Sequence, residues 1–230
     1  NTAMGDQAMY SNTGGNDNAA FGLNTLKSNT SGSYNTASGS ESMLDNTTGG
    51  GNTAVGASSM LSNISGDGNT AIGFESLGSN TTGQLNTTVG YQSLIGNISG
   101  KNNSAFGFGA LSANTTGHSN VAIGYAALYN TTTRTNLVAV GDSTLYNNGI
   151  GATSAFHATE NTALGSKALF ANTTGYANTA SGVNALFSNT SGNNNTANGT
   201  KALYANNAGI YNVANGSSAL FSNTTGNGNT

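Results

Sequence analysis

The sequence predicts an all-β protein, a parallel β-solenoid of about thirteen coils of 17 residues each. Three observations support this prediction. A motif headed by Asn-Thr-Ala recurs every 17 residues along most of the chain. A unit this short cannot bury an apolar face alone, so successive units must stack on one another. Glycine, asparagine and threonine recur throughout each unit, and this composition disfavours helices.

The repeat units share one register, and we number the 17 positions of a unit as columns 1 to 17. The consensus reads Asn-Thr-Ala-apolar-Gly-x-x-Ala-Leu-x-x-Asn-Thr-Thr-Gly-x-x. We expect one repeat domain over residues 1–230, with regular coils over 1–129 and 161–230. The regular units begin at Asn1, Asn18, Asn35, Asn52, Asn69, Asn86, Asn103, Asn120, Asn161, Asn178, Asn195 and Asn212.

The first segment of each coil predicts a short strand. Column 3 is alanine in twelve of thirteen units, with Thr88 as the exception. Because strand side chains alternate between faces, this small residue is expected to face a narrow interior, with columns 2 and 4 facing outwards. Column 5 is always glycine, and we expect it to turn the chain with a positive φ.

The second segment of each coil, also bounded by glycines, predicts another short strand. Its column 9 is leucine or methionine in every regular unit. These long side chains are expected to supply most of the volume of each interior layer.

Column 12 is asparagine in nearly every unit and is followed by Thr-Thr, Thr-Ser or Ile-Ser and then glycine. Stacked asparagine side chains can hydrogen-bond up and down a parallel array. We therefore predict an asparagine ladder in this column, with a stabilising role that needs no ligand.

Columns 4 and 10 carry a weaker pattern. Where column 4 is polar, as at Ser38 and Ser181, column 10 is large and apolar, as at Leu44 and Phe187. The two columns are interpreted as the borders of one apolar space, such as a seam between chains. The alternative is that both are ordinary edges of the core.

The repeat becomes irregular over about residues 130–160. One residue is missing before Thr131, one is gained within 136–141, and an insertion follows over 149–160. Insertions in solenoids leave the stack as loops, and loops often carry recognition. Phe156, His157 and Glu160 are therefore the candidate partner contacts, and the alternative is a tolerated surface insertion.

Composition argues against several classes of function. The chain has only five Lys and Arg residues, too few for the phosphate contacts of a nucleic-acid-binding protein. It has no cysteine, two histidines and eight scattered carboxylates, so we expect no catalytic site, no cofactor and no metal site. No apolar run reaches the ~18 residues of a membrane span.

Glycosylation is the one modification that the sequence invites. Ten asparagines at or next to column 12 begin Asn-x-Ser/Thr acceptors, although an asparagine bonded within a ladder cannot carry sugar. The candidate positions are Asn46, Asn80, Asn114, Asn172 and Asn223.

The motif Asn-Thr-Ala-Ile-Gly-x-x-x-Leu at residues 69–77, nearly repeated at 120–128, resembles the head repeats of trimeric autotransporter adhesins. It is also similar to Asn-Thr-Ala-Ile-Gly repeats of bacterial surface fibres and phage tail fibres. The resemblance covers the chain apart from about 130–160, although the adhesin repeat is shorter. It implies a left-handed β-roll, a homotrimer, and attachment to a surface or host receptor.

We therefore expect a non-enzymatic segment of an extracellular fibre, on a cell surface or a virion, that mediates or displays attachment. Because the chain starts and stops within the repeat, we expect it to be part of a longer protein. One alternative is a filament subunit that stacks end to end. Another is an ice-binding solenoid that uses the threonines of column 2, although Ala19, Ser104, Val121 and Val213 interrupt that row.

Overall fold

The computed structural model describes residues 1–230 and confirms the all-β parallel solenoid, with one three-residue strand in each of thirteen coils. No segment is helical. The strands are β1 (Thr2–Met4), β2 (Ala19–Phe21), β3 (Thr36–Ser38), β4 (Thr53–Val55), β5 (Thr70–Ile72), β6 (Thr87–Val89), β7 (Ser104–Phe106), β8 (Val121–Ile123), β9 (Val138–Val140), β10 (Thr162–Leu164), β11 (Thr179–Ser181), β12 (Thr196–Asn198) and β13 (Val213–Asn215).

The chain forms two compact units, Asn1–Thr116 and Gly117–Thr230. In the first unit, β1 to β7 pair in parallel and in chain order. In the second unit, β8 to β13 do the same. Equal columns face each other at every pairing, as in Ala54↔Ala71. The single domain and the left-handed coil stay predictions.

The interior of each unit is built from columns 3 and 9, as the sequence predicts. Ala54 and Leu77 are fully buried, and so are their counterparts in most other coils. Thr88 replaces the column-3 alanine in one coil without leaving a buried hydroxyl unpaired, because its Oγ1 lies 2.6 Å from Ser76 Oγ of the preceding coil. The column-3 exception is therefore matched by a polar neighbour.

The second strand predicted for each coil is wrong. Columns 5 to 12 instead form consecutive turns, seen in the hydrogen bonds from Ala8 N to Gly5 O and from Asn12 N to Met9 O. Every column-9 leucine or methionine has φ between 49° and 56°, in the left-handed region. This conformation is unfavourable for a residue with a Cβ, so stacking must hold it in place. Column 5 has the expected positive φ, between 120° and 140°.

The asparagine ladder predicted in column 12 is confirmed. Asn63 Nδ2 donates to Asn46 Oδ1 of the preceding coil at 2.7 Å, and Asn63 Oδ1 accepts from Asn80 of the next coil at 2.7 Å. The second Nδ2 hydrogen of Asn63 bonds to Gly66 O at 3.1 Å. Each amide therefore joins three partners, in two neighbouring coils and its own turn.

A second ladder, which sequence reasoning missed, runs through column 1. Asn69 N donates to Asn52 Oδ1 at 2.9 Å, and Asn52 Nδ2 donates to Gly66 O at 2.8 Å. The carbonyl of Gly66 therefore accepts from both ladders. Column 15 is where the two sets of amides meet.

The glycine of column 15 is required by this crowding. A Cβ on Gly83 would overlap Asn80 Oδ1, and it would lie 2.5 Å from both Asn97 Nδ2 and Gly100 O. In contrast, a Cβ on Gly78 in column 10 of the same coil would meet nothing closer than 3.2 Å.

Gly83→Ala is expected to lower the free energy of unfolding by about 3 kcal/mol, because the added methyl group overpacks two amide ladders and a backbone carbonyl. Gly78→Ala is the matched control and is expected to change stability by less than about 1 kcal/mol. Urea denaturation followed by circular dichroism measures both. Equal stability of the two variants would contradict the proposed packing.

Asn63→Asp is expected to destabilise the protein by about 3 kcal/mol at pH 7, since a buried carboxylate replaces a group that donates two hydrogen bonds. A protonated carboxyl group can donate one of them, so the difference from the wild type should shrink near pH 3.5. Asn102→Asp is the control, because residue 102 is exposed in column 17, where Asp17 stands naturally. A pH-independent difference for Asn63→Asp would count against the ladder.

Candidate functional site

The 17-residue register continues further into the irregular stretch than the sequence indicates. Val121 pairs with Val138, and Ala122 with Ala139. Leu137 N donates to Asn120 Oδ1 at 3.1 Å, so Leu137 occupies column 1 in place of asparagine. The expected loss and gain of one residue are therefore absent. The sequence alone indicates a shifted register here because the asparagines that mark columns 12 and 1 are replaced by Thr131 and Leu137.

The irregularity is a single insertion. Asn172 Nδ2 donates to Asn148 Oδ1 at 2.7 Å across a separation of 24 residues instead of 17, so seven residues are inserted. Asn148 Nδ2 donates to Ala158 O at 2.8 Å, which places Ala158 in column 15. The inserted residues lie within a loop of residues 149–157, here called the insertion loop.

Arg134 fixes the insertion loop to the coil before it. Its Nη1 donates to Ser154 O at 2.7 Å, and its Nη2 donates to Ala152 O at 2.6 Å. The arginine is only 9% exposed. It stands in column 15, and column 12 of the same coil is Thr131 instead of asparagine. The smaller Thr131 side chain lacks the amide group that collides with a Cβ in column 15.

A shallow pocket of about 440 Å³ opens beside the insertion loop. The structure brings Phe156, His157 and Glu160, the residues selected from the sequence, to this one pocket. Their contact with a partner stays a prediction. Sequence reasoning missed the remaining lining residues and also missed Arg134, whose place in a glycine column was a detectable signal. The pocket is lined by Ser154, Phe156, His157, Thr159, Glu160 and Tyr176.

The pocket combines an exposed aromatic ring with several polar groups. Phe156 is 78% exposed. Glu160 is exposed, and its carboxylate makes no hydrogen bond or ion pair within the chain. His157 Nδ1 is buried without a hydrogen-bond partner. Thr159 Oγ1 donates to Phe156 O at 2.9 Å, which leaves its lone pairs to accept. The ring of Phe156, the carboxylate of Glu160 and the hydroxyl of Thr159 can together hold a small polar ligand against an apolar surface.

The candidate glycosylation sites lie within the column-12 ladder. Asn46, Asn80, Asn114 and Asn172 are fully buried, and Asn223 is half-buried with Nδ2 bonded to Asn206 Oδ1 at 2.9 Å. In this fold, a sugar could be attached at the four buried positions only when the coil has opened.

Columns 4 and 10 form two different surfaces. Apolar residues of column 4, such as Val55 and Ile72, are exposed on the outer side of the strands. In the second unit, the rings of column 10 stack with centroids 5.1–5.4 Å apart, and all of them are half-buried except the exposed Phe221. These rings are Tyr129, Tyr146, Phe170, Phe187, Tyr204 and Phe221. The shared apolar space between the two columns stays a prediction.

Comparison with known proteins finds no matching family model, no matching curated protein and no matching solved structure. The class that the structure defines is the parallel β-solenoid. The likeness to adhesin heads and tail fibres rests on the repeat motif. No three His, Cys, Asp or Glu side chains gather at one place in the chain. The structure also contains no helix with the length and apolarity of a membrane span.

Arg134→Met is expected to release the insertion loop, since methionine keeps much of the apolar stem and removes both donors. Charge-assisted hydrogen bonds contribute about 1.5–3 kcal/mol each, so cleavage of the loop by thermolysin should accelerate at least about tenfold. Lys167→Met removes an exposed cation of the same unit and is the control. Unchanged cleavage of Arg134→Met would show that the arginine does not fix the loop.

Proposed function

We propose that the chain is a non-enzymatic, rigid segment of an extracellular fibre, which presents the insertion-loop pocket for attachment. The observation that carries this proposal is the pair of asparagine ladders. Within each unit, nearly every coil is joined to the next by backbone hydrogen bonds and by buried side-chain amides. These bonds oppose separation of neighbouring coils, which supports a role that depends on stiffness.

The ladders support a mechanical role because their bonds act together. Moving one coil away from the next breaks the parallel backbone pairing and several buried amide contacts at once. An amide left buried without a partner costs about 1–3 kcal/mol. A stack held in this way deforms little under load. A shaft that holds a binding site away from a surface needs this property.

The exposed column-4 residues support association with further copies of the chain. Column 4 is apolar in nine of the thirteen coils, and Val55 and Ile72 are exposed on adjacent strands of the first unit. Continuous exposed apolar surface is unusual on soluble monomers. A second copy carries the same residues at the same spacing, so apolar side chains can meet in register along the contact. A homotrimer is the assembly that the resemblance to adhesin heads implies.

Immunogold labelling of intact producing cells and of any virus particles they release tests the location. Antibodies raised against residues 1–230 are expected to decorate filaments outside the cell envelope or on the virion. Label confined to the cell interior would overturn the proposed extracellular role. Permeabilised cells provide the control that the antibody recognises its antigen in both places.

Light scattering coupled to gel filtration is expected to give three times the mass of one chain. Val55→Ser with Ile72→Ser should raise the concentration at which the trimer dissociates at least about tenfold, because apolar area is removed from the contact. The column itself accepts serine, as at Ser38. Ile64→Thr, an exposed change in column 13, is the control.

A monomeric wild-type chain would remove the trimer from the proposal. Species whose mass grows continuously with concentration would favour the alternative, a filament built by end-to-end stacking.

A further inference from the structure

We propose that the insertion-loop pocket binds a neutral sugar residue of a glycan. The inference deepens the proposed attachment function and rests on it only for the biological setting. Binding itself is a property of the pocket and can be measured wherever the chain is located.

The aromatic lining provides an apolar platform. Phe156 is 78% exposed at the pocket, so its ring faces gain little from packing within the chain. Tyr176, from the following coil, is half-buried and supplies a second ring with a polar hydroxyl group. Exposed aromatic side chains gain free energy when a ligand covers them. A pyranose ring has one such apolar face, formed by its C–H groups.

The polar lining suits a ligand that donates several hydrogen bonds. Glu160 is exposed at the pocket, and its two carboxylate oxygens have no partners in the chain. Thr159 uses its hydroxyl proton within the loop and keeps acceptor capacity. Sugar hydroxyl groups donate to such acceptors, and their oxygens can accept in turn from the Ser154 and Tyr176 hydroxyls.

The balance of charge favours a neutral ligand over an ion. Glu160 is the only acidic residue that lines the pocket. The guanidinium of Arg134 lies behind the loop, bonded to the carbonyl of Ser154, which itself lines the pocket. One charge of each sign leaves no strong field that would select a cation or an anion. Recognition must then come from shape and hydrogen bonding, which are the means available for a neutral polyol.

The pocket is also held in place before a ligand arrives. Arg134 fixes two carbonyls of the insertion loop, and Ala177 N donates to Thr159 O at 3.1 Å across the coils. A fixed loop loses little conformational entropy on binding. The pocket is open, so each site should bind weakly, and several chains in one fibre would raise the overall affinity through avidity.

Saturation-transfer NMR on the 230-residue chain tests the proposal with a panel of neutral methyl glycosides: methyl glucoside, mannoside, galactoside and N-acetylglucosaminide. At least one is expected to receive saturation, with a dissociation constant of about 1–10 mM. Phe156→Ala and Glu160→Gln should each weaken binding at least tenfold. The controls Tyr34→Ala and Asp17→Asn, which alter an exposed ring and an exposed carboxylate of column 17, should leave it unchanged.

Two results would overturn the inference. One is the absence of saturation transfer to every glycoside when the wild-type fold is intact by circular dichroism. The other is binding of methylguanidinium or inorganic phosphate that Glu160→Gln changes by a larger factor than it changes the binding of any sugar. If the chain binds a sugar but the antibody label lies only inside the cell, the proposed extracellular function is refuted and the sugar site stands. Retention on dextran or on a desialylated glycoprotein then distinguishes a polysaccharide from a protein-linked glycan as the source.

Discussion

The side-chain amide of asparagine is the group on which the rest of the structure depends. It carries one acceptor oxygen and two donor hydrogens, so a single buried residue can bond to the coil before it, the coil after it and its own turn. Asn63 does all three. Glycine in column 15 of the regular coils follows from this arrangement, because a Cβ there would overlap the amides. Ala158 occupies this column only after the insertion loop, with φ of 58°. The chain therefore needs little charge and no proline or disulfide to specify its coils.

The amide ladders also explain a conformation that is costly by itself. Each coil places a leucine or methionine in the left-handed region, which brings that side chain into the interior. The cost of this conformation falls on every coil, and each coil must offset it by the bonds it makes to its neighbours. For this reason the folded conformation is stable only in the stack, and we expect an isolated coil not to adopt it.

Much of the fold follows from spacing alone, whereas the site does not. The period, the buried alanine of column 3 and the column-12 ladder are readable because one residue type recurs at one position. The second strand was wrong because a leucine with positive φ leaves no mark in the sequence. Arg134 and Tyr176 were missed because their roles depend on contacts across coils, which the register error at Leu137 concealed. Phe156, His157 and Glu160 were selected only because an insertion interrupts the repeat, and their contact with a partner stays a prediction.

In the coil before the insertion loop, Thr131 stands where other coils have asparagine in column 12, and Arg134 stands where they have glycine in column 15. These two differences have a consequence beyond this one loop. Since each coil contacts only its neighbours, the two changes open one turn and leave coils further along the stack unaffected. The same pair of exchanges, followed by a longer turn in the next coil, could be made at other places in the repeat. A chain of this kind offers a series of equivalent attachment points for loops, so that binding specificity can vary while the scaffold stays constant.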